Sequence, residues 1–207
     1  MLTSVPQTGL IVSYKGQKRW HTNSTNFKTY EAKIDNGFPG WEIPRSAWKF
    51  ITSHVPCFYQ DDCAYGKEYL IQCSYRDEDL SITVQFRGMN DGVAEVDVPL
   101  RHMLVPAMEF ELSKNYNDTG PLIIDGVEQC LFTPTPLPDD FGEFGVGDPF
   151  FRSAYMFFNL DEYTISMAPA SYNKRDSKVV AIAAGDGARK YPSGTGRKMG
   201  RVRRWWA

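Results

Sequence analysis

The middle of the chain alternates between apolar and polar residues. Residues 80–86 place leucine, isoleucine, valine and phenylalanine at every second position, and residues 93–98 continue with valines after the Asn-Asp-Gly triplet at 90–92. A period of two indicates a β-strand with one buried face, and Asn-Asp-Gly is typical of a hairpin turn. Residues 67–75 predict a further strand, and the prolines at 134, 136 and 138 predict an exposed loop. The pattern predicts antiparallel β-structure.

One helix and one further hairpin stand out from this β pattern. Residues 46–53 follow Pro44, a good helix opener, and place apolar side chains on one face. Residues 150–158 are an aromatic, strand-favouring run, polar residues interrupt it at 159–162, and residues 163–167 alternate again. These segments predict a short helix early in the chain and a hairpin late in it.

The late segment 145–169, GVGDPFFRSAYMFFNLDEYTISMAP, has further features. Gly145 and Gly147 lack a side chain where another backbone must come close. The run Val146-Gly147-Asp148, with Phe150 and the closing Ala168-Pro169, resembles the end of the C-terminal lobe of a pepsin-like aspartic protease. Gly145 stands where a larger apolar residue is usual in that family. The resemblance implies a mostly β fold, a single pepsin-like acid protease lobe of antiparallel sheets with few short helices, over residues 1–173.

A lobe of this kind has its catalytic aspartate about a hundred residues earlier, in a tight turn after an apolar strand. Asp35 stands there, followed by Asn36 and Gly37, a short tryptophan-bearing strand from Trp41 and the predicted helix. The resemblance therefore implies that Asp35 is the catalytic residue and that Asn36, Gly37 and Gly147 form its supporting turn.

Asp118-Thr119-Gly120 is an alternative, because it is the literal tripeptide that such proteases use. Only about thirty residues separate it from Asp148, too few for the elements that a lobe needs after its aspartate, and its flanks are polar. Asn117-Asp118-Thr119 is also a glycosylation acceptor, as is Asn23-Ser24-Thr25.

Aspartic proteases use two carboxylates that share one proton, and each lobe supplies one of them. The resemblance thus implies an aspartic-type endopeptidase that hydrolyses peptide bonds with an activated water and needs no cofactor. In the family, Ser or Thr residues follow the Asp and the Gly of the turn. Here Asn36 still has an amide donor, but Phe38 has no polar atom. The alternative is a catalytically inactive lobe that binds extended peptide or is a truncated fragment.

At 207 residues, the chain has room for one domain with a sizeable core and lacks room for two lobes. The expected partners are a peptide or protein substrate and either a missing N-terminal lobe or a homodimer mate. Isolated, the chain is expected to have little activity. Neither a leader at Met1 nor a long apolar run is found, so a secreted or vacuolar location would require a leader lost with the first lobe.

Four cysteines can pair in three ways. Cys73 and Cys130 lie where the family's second-lobe disulfide would fall, and Cys57 and Cys63 enclose a loop that could close locally. A zinc site around His54, Cys57 and Cys63 is the alternative, but five residues between the cysteines and no second matching pair disfavour it. The expectation is no metal site.

Residues 174–207 differ sharply from the rest of the chain. They contain ten lysines and arginines and two aspartates, whereas residues 1–173 contain 13 basic and 23 acidic residues. An acidic body suits a protease that works at low pH. The arginines and tryptophans near the end could bind an anionic membrane surface or nucleic acid. A basic, disordered tail with neither partner is the favoured interpretation.

Overall fold

The structure is a computed structural model. It describes residues 3–21, 30–56, 58–60, 68–88, 92–107, 120–159, 164–170 and 201–203. Several predicted residues lie outside these ranges, namely Asn23, Cys57, Cys63, Asn117 and Asp118. The boundary proposed at residue 173 also lies outside them and stays a prediction.

The described residues form sixteen strands, three short α-helices and a 3-10 helix at Cys73–Asp77. The helices are α1 (Arg45–His54), α2 (Leu100–Met103) and α3 (Asp148–Phe151). The strands are β1 (Thr3–Tyr14), β2 (Gln17–His21), β3 (Tyr30–Ile34), β4 (Trp41–Pro44), β5 (Phe58–Gln60), β6 (Glu68–Gln72), β7 (Leu80–Arg87), β8 (Val93–Pro99), β9 (Leu104–Pro106), β10 (Ile123–Ile124), β11 (Val127–Phe132), β12 (Pro134–Leu137), β13 (Glu143–Val146), β14 (Ala154–Asn159), β15 (Thr164–Pro169) and β16 (Arg201–Arg203).

Three sheets organise these strands. The largest has eight strands in the order β12-β4-β13-β3-β1-β7-β8, with β2 paired to β1. A five-stranded sheet has the order β10-β11-β6-β5 with β9 on β11, and β14, β15 and β16 form the third. Most pairs are antiparallel, and two pairs in the large sheet, β12 with β4 and β13 with β3, are parallel. The expected mostly β fold with few short helices is confirmed.

The predicted hairpin of β7 and β8 is present. Arg87 pairs with Val93 at the end next to the turn and Ser81 with Pro99 at the open end, and Leu80, Ile82, Val84 and Phe86 of β7 are all buried. The Gly88 N–H donates to the Gly92 carbonyl at 2.6 Å next to the turn. The alternation in the sequence therefore corresponds to one face of the sheet packing into the core.

Helix α1 extends one residue beyond each end of the predicted segment 46–53. Pro44 precedes its first turn, and the buried side chains of Ala47 and Ile51 lie on one face. The Ser46 N–H, one of the free donors at the helix start, donates to Asp139 Oδ1 at 2.9 Å. The helix is thus anchored both to the core and to the loop between β12 and β13.

The aromatic run at 150–158 is only partly a strand. Phe150 and Phe151, predicted as strand residues, instead belong to α3, which begins after Gly147. Pro149 explains the difference, because its fixed φ favours the first turn of a helix. Strand β14 begins at Ala154 and pairs with β15 through to Asn159, so the hairpin itself is confirmed.

The proline-rich segment predicted as an exposed loop is also partly a strand. Pro134 and Pro136 lie in β12, an edge strand that pairs in parallel with β4, and Pro134 is buried. An edge strand tolerates proline because one of its sides needs no N–H donors. Pro138 lies beyond the strand and is exposed, as predicted.

A disulfide joins Cys73 to Cys130, as the resemblance implies. It ties the 3-10 helix to β11, and the two Cα atoms are 5.0 Å apart. Its second cysteine is buried in the core. The bond therefore connects the five-stranded sheet to the segment that leads into β7.

Replacing both Cys73 and Cys130 by alanine is expected to lower the free energy of unfolding substantially. The bond spans a sequence separation of 57 residues, and closing a loop of that size removes about 4 kcal/mol of chain entropy from the unfolded state. Urea denaturation of the variant and the oxidised parent measures the difference. The Cys57→Ala/Cys63→Ala variant, which keeps the Cys73–Cys130 bond, is the control and should lose much less. Equal losses in the two variants would contradict the prediction.

Candidate active site

The turn at Asp35 follows a strand at the centre of the large sheet. Strand β3 leads directly into it, and β13 runs parallel to β3 with Val146 opposite Ile34. After the turn, β4 returns on the other side of β13, where Trp41 pairs with Val146. The turn thus crosses over the end of β13, and the residues after Val146 pass beneath it.

Backbone hydrogen bonds hold the turn in place. The Asp35 N–H donates to the Val146 carbonyl at 3.1 Å, and the Phe38 N–H donates to the Asp35 carbonyl at 3.2 Å. The Gly37 N–H donates to Asp35 Oδ1 at 2.9 Å. Asp35 is half-buried, while Asn36 and Gly37 are exposed. The Asp35 carboxylate is therefore oriented by the Gly37 N–H of its own turn and lies at the edge of the folded body.

Gly147 lies directly against this turn. The Asp148 N–H donates to the Phe38 carbonyl at 3.0 Å. A Cβ built on Gly147 would overlap with the carbonyl oxygens of Phe38 and Gly40 and lie 2.9 Å from the Phe38 carbonyl carbon. Only a residue without a side chain fits here, since real Cβ atoms do not approach backbone so closely. The structure thus brings Asp35, Asn36, Gly37 and Gly147 together.

Phe38 and Gly145, two of the three departures from the family pattern, are in contact. A Cβ built on Gly145 would lie 3.1 Å from Phe38 Cε1 and 2.9 Å from Glu42 Oε2. The Gly145 N–H donates to Glu42 Oε2 at 2.6 Å. A larger residue at 145 would therefore displace the Phe38 ring or the Glu42 carboxylate. The sequence shows the departures as separate changes, and only the structure shows that the glycine makes room for the phenylalanine.

Charged and polar contacts brace the strands behind the turn. Lys33 and Glu143 form an ion pair across β3 and β13, and the hydrogen bond and charge of Glu143 raise the pKa of Lys33. The Tyr30 hydroxyl donates to the Asp139 carbonyl, and burial, reinforced by the charges of Asp139 and Asp140, raises the pKa of Tyr30 to about 12. Lys33 therefore stays charged and Tyr30 neutral throughout the acid range. Sequence reasoning missed these residues and Glu42, since their partners lie about a hundred residues away.

Other residues that the sequence analysis named lie outside the described part of the chain. Asp118, the alternative catalytic residue, and the cysteines of the zinc alternative lie outside the described residues. Within the described ranges, no group of three or more His, Cys, Asp or Glu side chains could hold a metal ion.

Comparison with known proteins finds distant relatives. Aspartic proteinase 3 of Saccharomyces cerevisiae is 26% identical over 153 residues, which are 74% of this chain and 22% of the relative. Secreted aspartic protease 5 of Candida albicans is 28% identical over 149 residues, which are 72% of this chain and 30% of the relative. The probable aspartic-type endopeptidase opsB of Aspergillus oryzae is 23% identical over 154 residues, 74% of this chain and 27% of the relative. The chain is distantly homologous to aspartic proteases.

The homology to aspartic proteases has a limited extent. The chain spans less than a third of the length of the three relatives. No protein-family model matches it. The relatives therefore support the aspartic protease family, and the assignment to one lobe is left to the proposal below. In the part of the chain that the structure describes, no helix is long and apolar enough to cross a lipid bilayer.

Proposed function

We propose that this chain is a second-lobe module of a pepsin-like aspartic endopeptidase, with Asp35 as its catalytic carboxylate. The observation that supports this most directly is the turn at Asp35, which is hydrogen-bonded to Val146 and packed on Gly147. A half-buried carboxylate oriented by a backbone N–H, at the end of a central strand, is suited to hold a catalytic water. The distant homology to aspartic proteases supports the same reaction class.

In such a reaction, one carboxylate is ionised and takes a proton from the attacking water, and the other is protonated and donates to the scissile carbonyl. This chain supplies one of the two groups. Gly37 orients it, and the exposed Asn36 has an amide that can donate to a neighbouring lobe. The second carboxylate has to come from a separate N-terminal lobe or from the same turn of a second copy. The substrate is an extended peptide, and the proposed location is secreted or vacuolar.

An inactive, peptide-binding lobe is the second candidate. It is favoured by Phe38, whose ring packs against Gly145 and Gly40 and offers no hydrogen bond to the Asp35 carboxylate. In this case the half-cleft would hold an extended peptide without cutting it.

The isolated chain is expected to have little or no proteolytic activity, because it provides one carboxylate of the two. The test incubates it with a denatured protein at about pH 3 to 5, where one carboxylate of a pair can be ionised and the other protonated, with and without pepstatin. The same assay is repeated after co-refolding with the N-terminal lobe of a relative. Pepstatin-sensitive activity that requires the added lobe supports the enzyme. Robust pepstatin-sensitive cleavage by the monomeric chain alone contradicts the single-carboxylate proposal, and absence of activity in both assays favours the inactive lobe.

A further inference from the structure

Strand β16 belongs to the basic C-terminal segment and is far along the chain from the strand that it pairs with. It lies antiparallel to β15, with Arg203 opposite Thr164 and Arg201 opposite Ser166. Residues 170–200 connect the two strands. The sheet β14-β15-β16 is thus completed by a strand that no tight turn links to its neighbour.

The edge of β15 that β16 covers is uncharged. Strand β15 reads TISMAP and its hairpin partner β14 reads AYMFFN, so neither strand contains a charged residue. Ile165 and Met167 of β15 are buried and belong to the hydrophobic core. A strand that is uncharged and fixed on the core presents the N–H and C=O groups of its open edge to any extended chain. In the absence of β16, this edge of β15 is therefore a template for strand pairing.

Strand β16 is short compared with the strand that it covers. Strand β15 pairs with β14 over all six of its residues, whereas β16 has three residues. Its three residue pairs have to offset the entropy that is lost when the long connection 170–200 is closed. We therefore expect β16 to detach and pair again while the β14–β15 hairpin stays folded.

The charges of the chain favour the return of β16 and protect the new edge. Residues 1–173 contain 23 acidic and 13 basic residues, so the body attracts the basic segment that carries β16. Two of the three residues of β16 are arginines. Charged residues on the outermost strand are a common protection of a sheet against further pairing. Strand β16 thus replaces an uncharged edge by one with two positive charges.

We propose that the edge of β15 is a strand-binding site, that its ligand is the chain's own segment Arg201–Arg203, and that this segment exchanges with the same segment of a second copy. Binding is by addition of a strand to a sheet edge, where main-chain hydrogen bonds hold the ligand. The two copies of the segment make the same bonds, and only the first is tethered to the site. The three strands do not pair with the sheet that contains the Asp35 turn, so the proposal is independent of the proposed catalytic function.

The full chain with Arg201→Pro and Val202→Pro tests the pairing. Successive N–H groups of a strand alternate between its two edges, so two adjacent prolines remove a donor to β15. The matched control is Arg204→Pro with Trp205→Pro, which also replaces an arginine and an apolar residue but lies just beyond β16.

Amide hydrogen exchange at residues 164–166, followed by NMR, is the first measurement. In the Arg201→Pro/Val202→Pro variant, the amides on the β16 edge should exchange on the order of tenfold faster than in the control or more, because their partner strand is lost. The amides on the β14 edge should be equally protected in both variants, and they verify that the hairpin is folded.

Binding of a fluorescent peptide with the sequence of residues 197–207 is the second measurement. Fluorescence anisotropy should show that it binds the Arg201→Pro/Val202→Pro variant on the order of tenfold more tightly than the control or more, since the tethered segment competes in the control. The same peptide with N-methylated amides at Arg201 and Val202 has the same charge but lacks two donors. It should bind neither protein.

Equal exchange rates at residues 164–166 in the two variants would overturn the proposal, and so would equal affinities for the peptide. Loss of protection on the β14 edge as well would show that β16 is part of the cooperative fold and not an exchangeable ligand. If the N-methylated peptide binds as tightly as the unmodified one, charge alone attracts the segment, and the strand-binding site is wrong.

Discussion

In the chain co-refolded with an N-terminal lobe, replacing Asp35 by asparagine is expected to lower the rate of peptide-bond hydrolysis by about 10³-fold. The reason is that general acid–base catalysis by a positioned carboxylate contributes a rate factor of this size. Asparagine preserves the shape of the side chain and still offers an oxygen to the Gly37 N–H, which bonds Asp35 Oδ1 at 2.9 Å. The fold and the turn should therefore persist while the proton-accepting group is lost. The rate of cleavage of a chromogenic peptide measures the effect, and circular dichroism verifies the fold.

The matched variant is Asp118→Asn, which alters the alternative Asp-Thr-Gly tripeptide. It should leave the activity of the reconstituted enzyme close to that of the parent. If Asp118→Asn abolishes activity and Asp35→Asn does not, the assignment of the catalytic residue is wrong. If both variants are as active as the parent, neither aspartate takes part in catalysis.

Replacing Gly147 by alanine is expected to destabilise the lobe strongly. The added methyl group would overlap with the carbonyl oxygens of Phe38 and Gly40, and these are backbone atoms that cannot rotate away. Overpacking of this kind costs about 3 kcal/mol or more. For a domain of this size, such a loss lowers the melting temperature by roughly 6–12 °C. Thermal unfolding followed by circular dichroism measures the change.

Gly37→Ala is the control for Gly147→Ala, because both add one methyl group at the same turn. The nearest atom to a Cβ on Gly37 is Asp35 Oδ1 at 3.4 Å, an ordinary van der Waals distance. Gly37→Ala should therefore change the melting temperature far less. If the Gly147→Ala variant has the same melting temperature as the parent, the turn and the end of β13 can move apart without loss of stability. The proposed site would then lose its support.

Several elements of the fold were predictable because their causes are local. The alternation at 80–86 and 93–98 predicts β7 and β8, and Pro44 with the apolar face that follows predicts α1. The hairpin of β14 and β15 was predictable for the same reason. In each case a short stretch of sequence contains both the periodicity and the turn or cap that ends it.

Other elements depended on partners distant in the sequence. The prolines of β12 form an edge strand only because β4, about ninety residues earlier, lies beside them. Strand β2 was missed because its segment is polar, and it forms through a two-residue turn at Lys15 and Gly16, both with positive φ. The strand expected at Phe150 and Phe151 is a helix because Pro149 lies in the first helical turn after Gly147. Gly147 is the glycine that packs under the Asp35 turn.

By itself, the sequence determined the β-rich class, the main helix and the late hairpin, since apolar periodicity and turn residues act over a few positions. The candidate residues around Asp35 and Gly147 came from the resemblance to pepsin-like aspartic proteases. The tertiary structure alone decided how these residues meet. It placed the end of β13 beneath the Asp35 turn and joined Phe38 and Gly145 in one contact. These arrangements depend on strand order and packing between residues that lie tens to a hundred positions apart, and no local pattern contains that information.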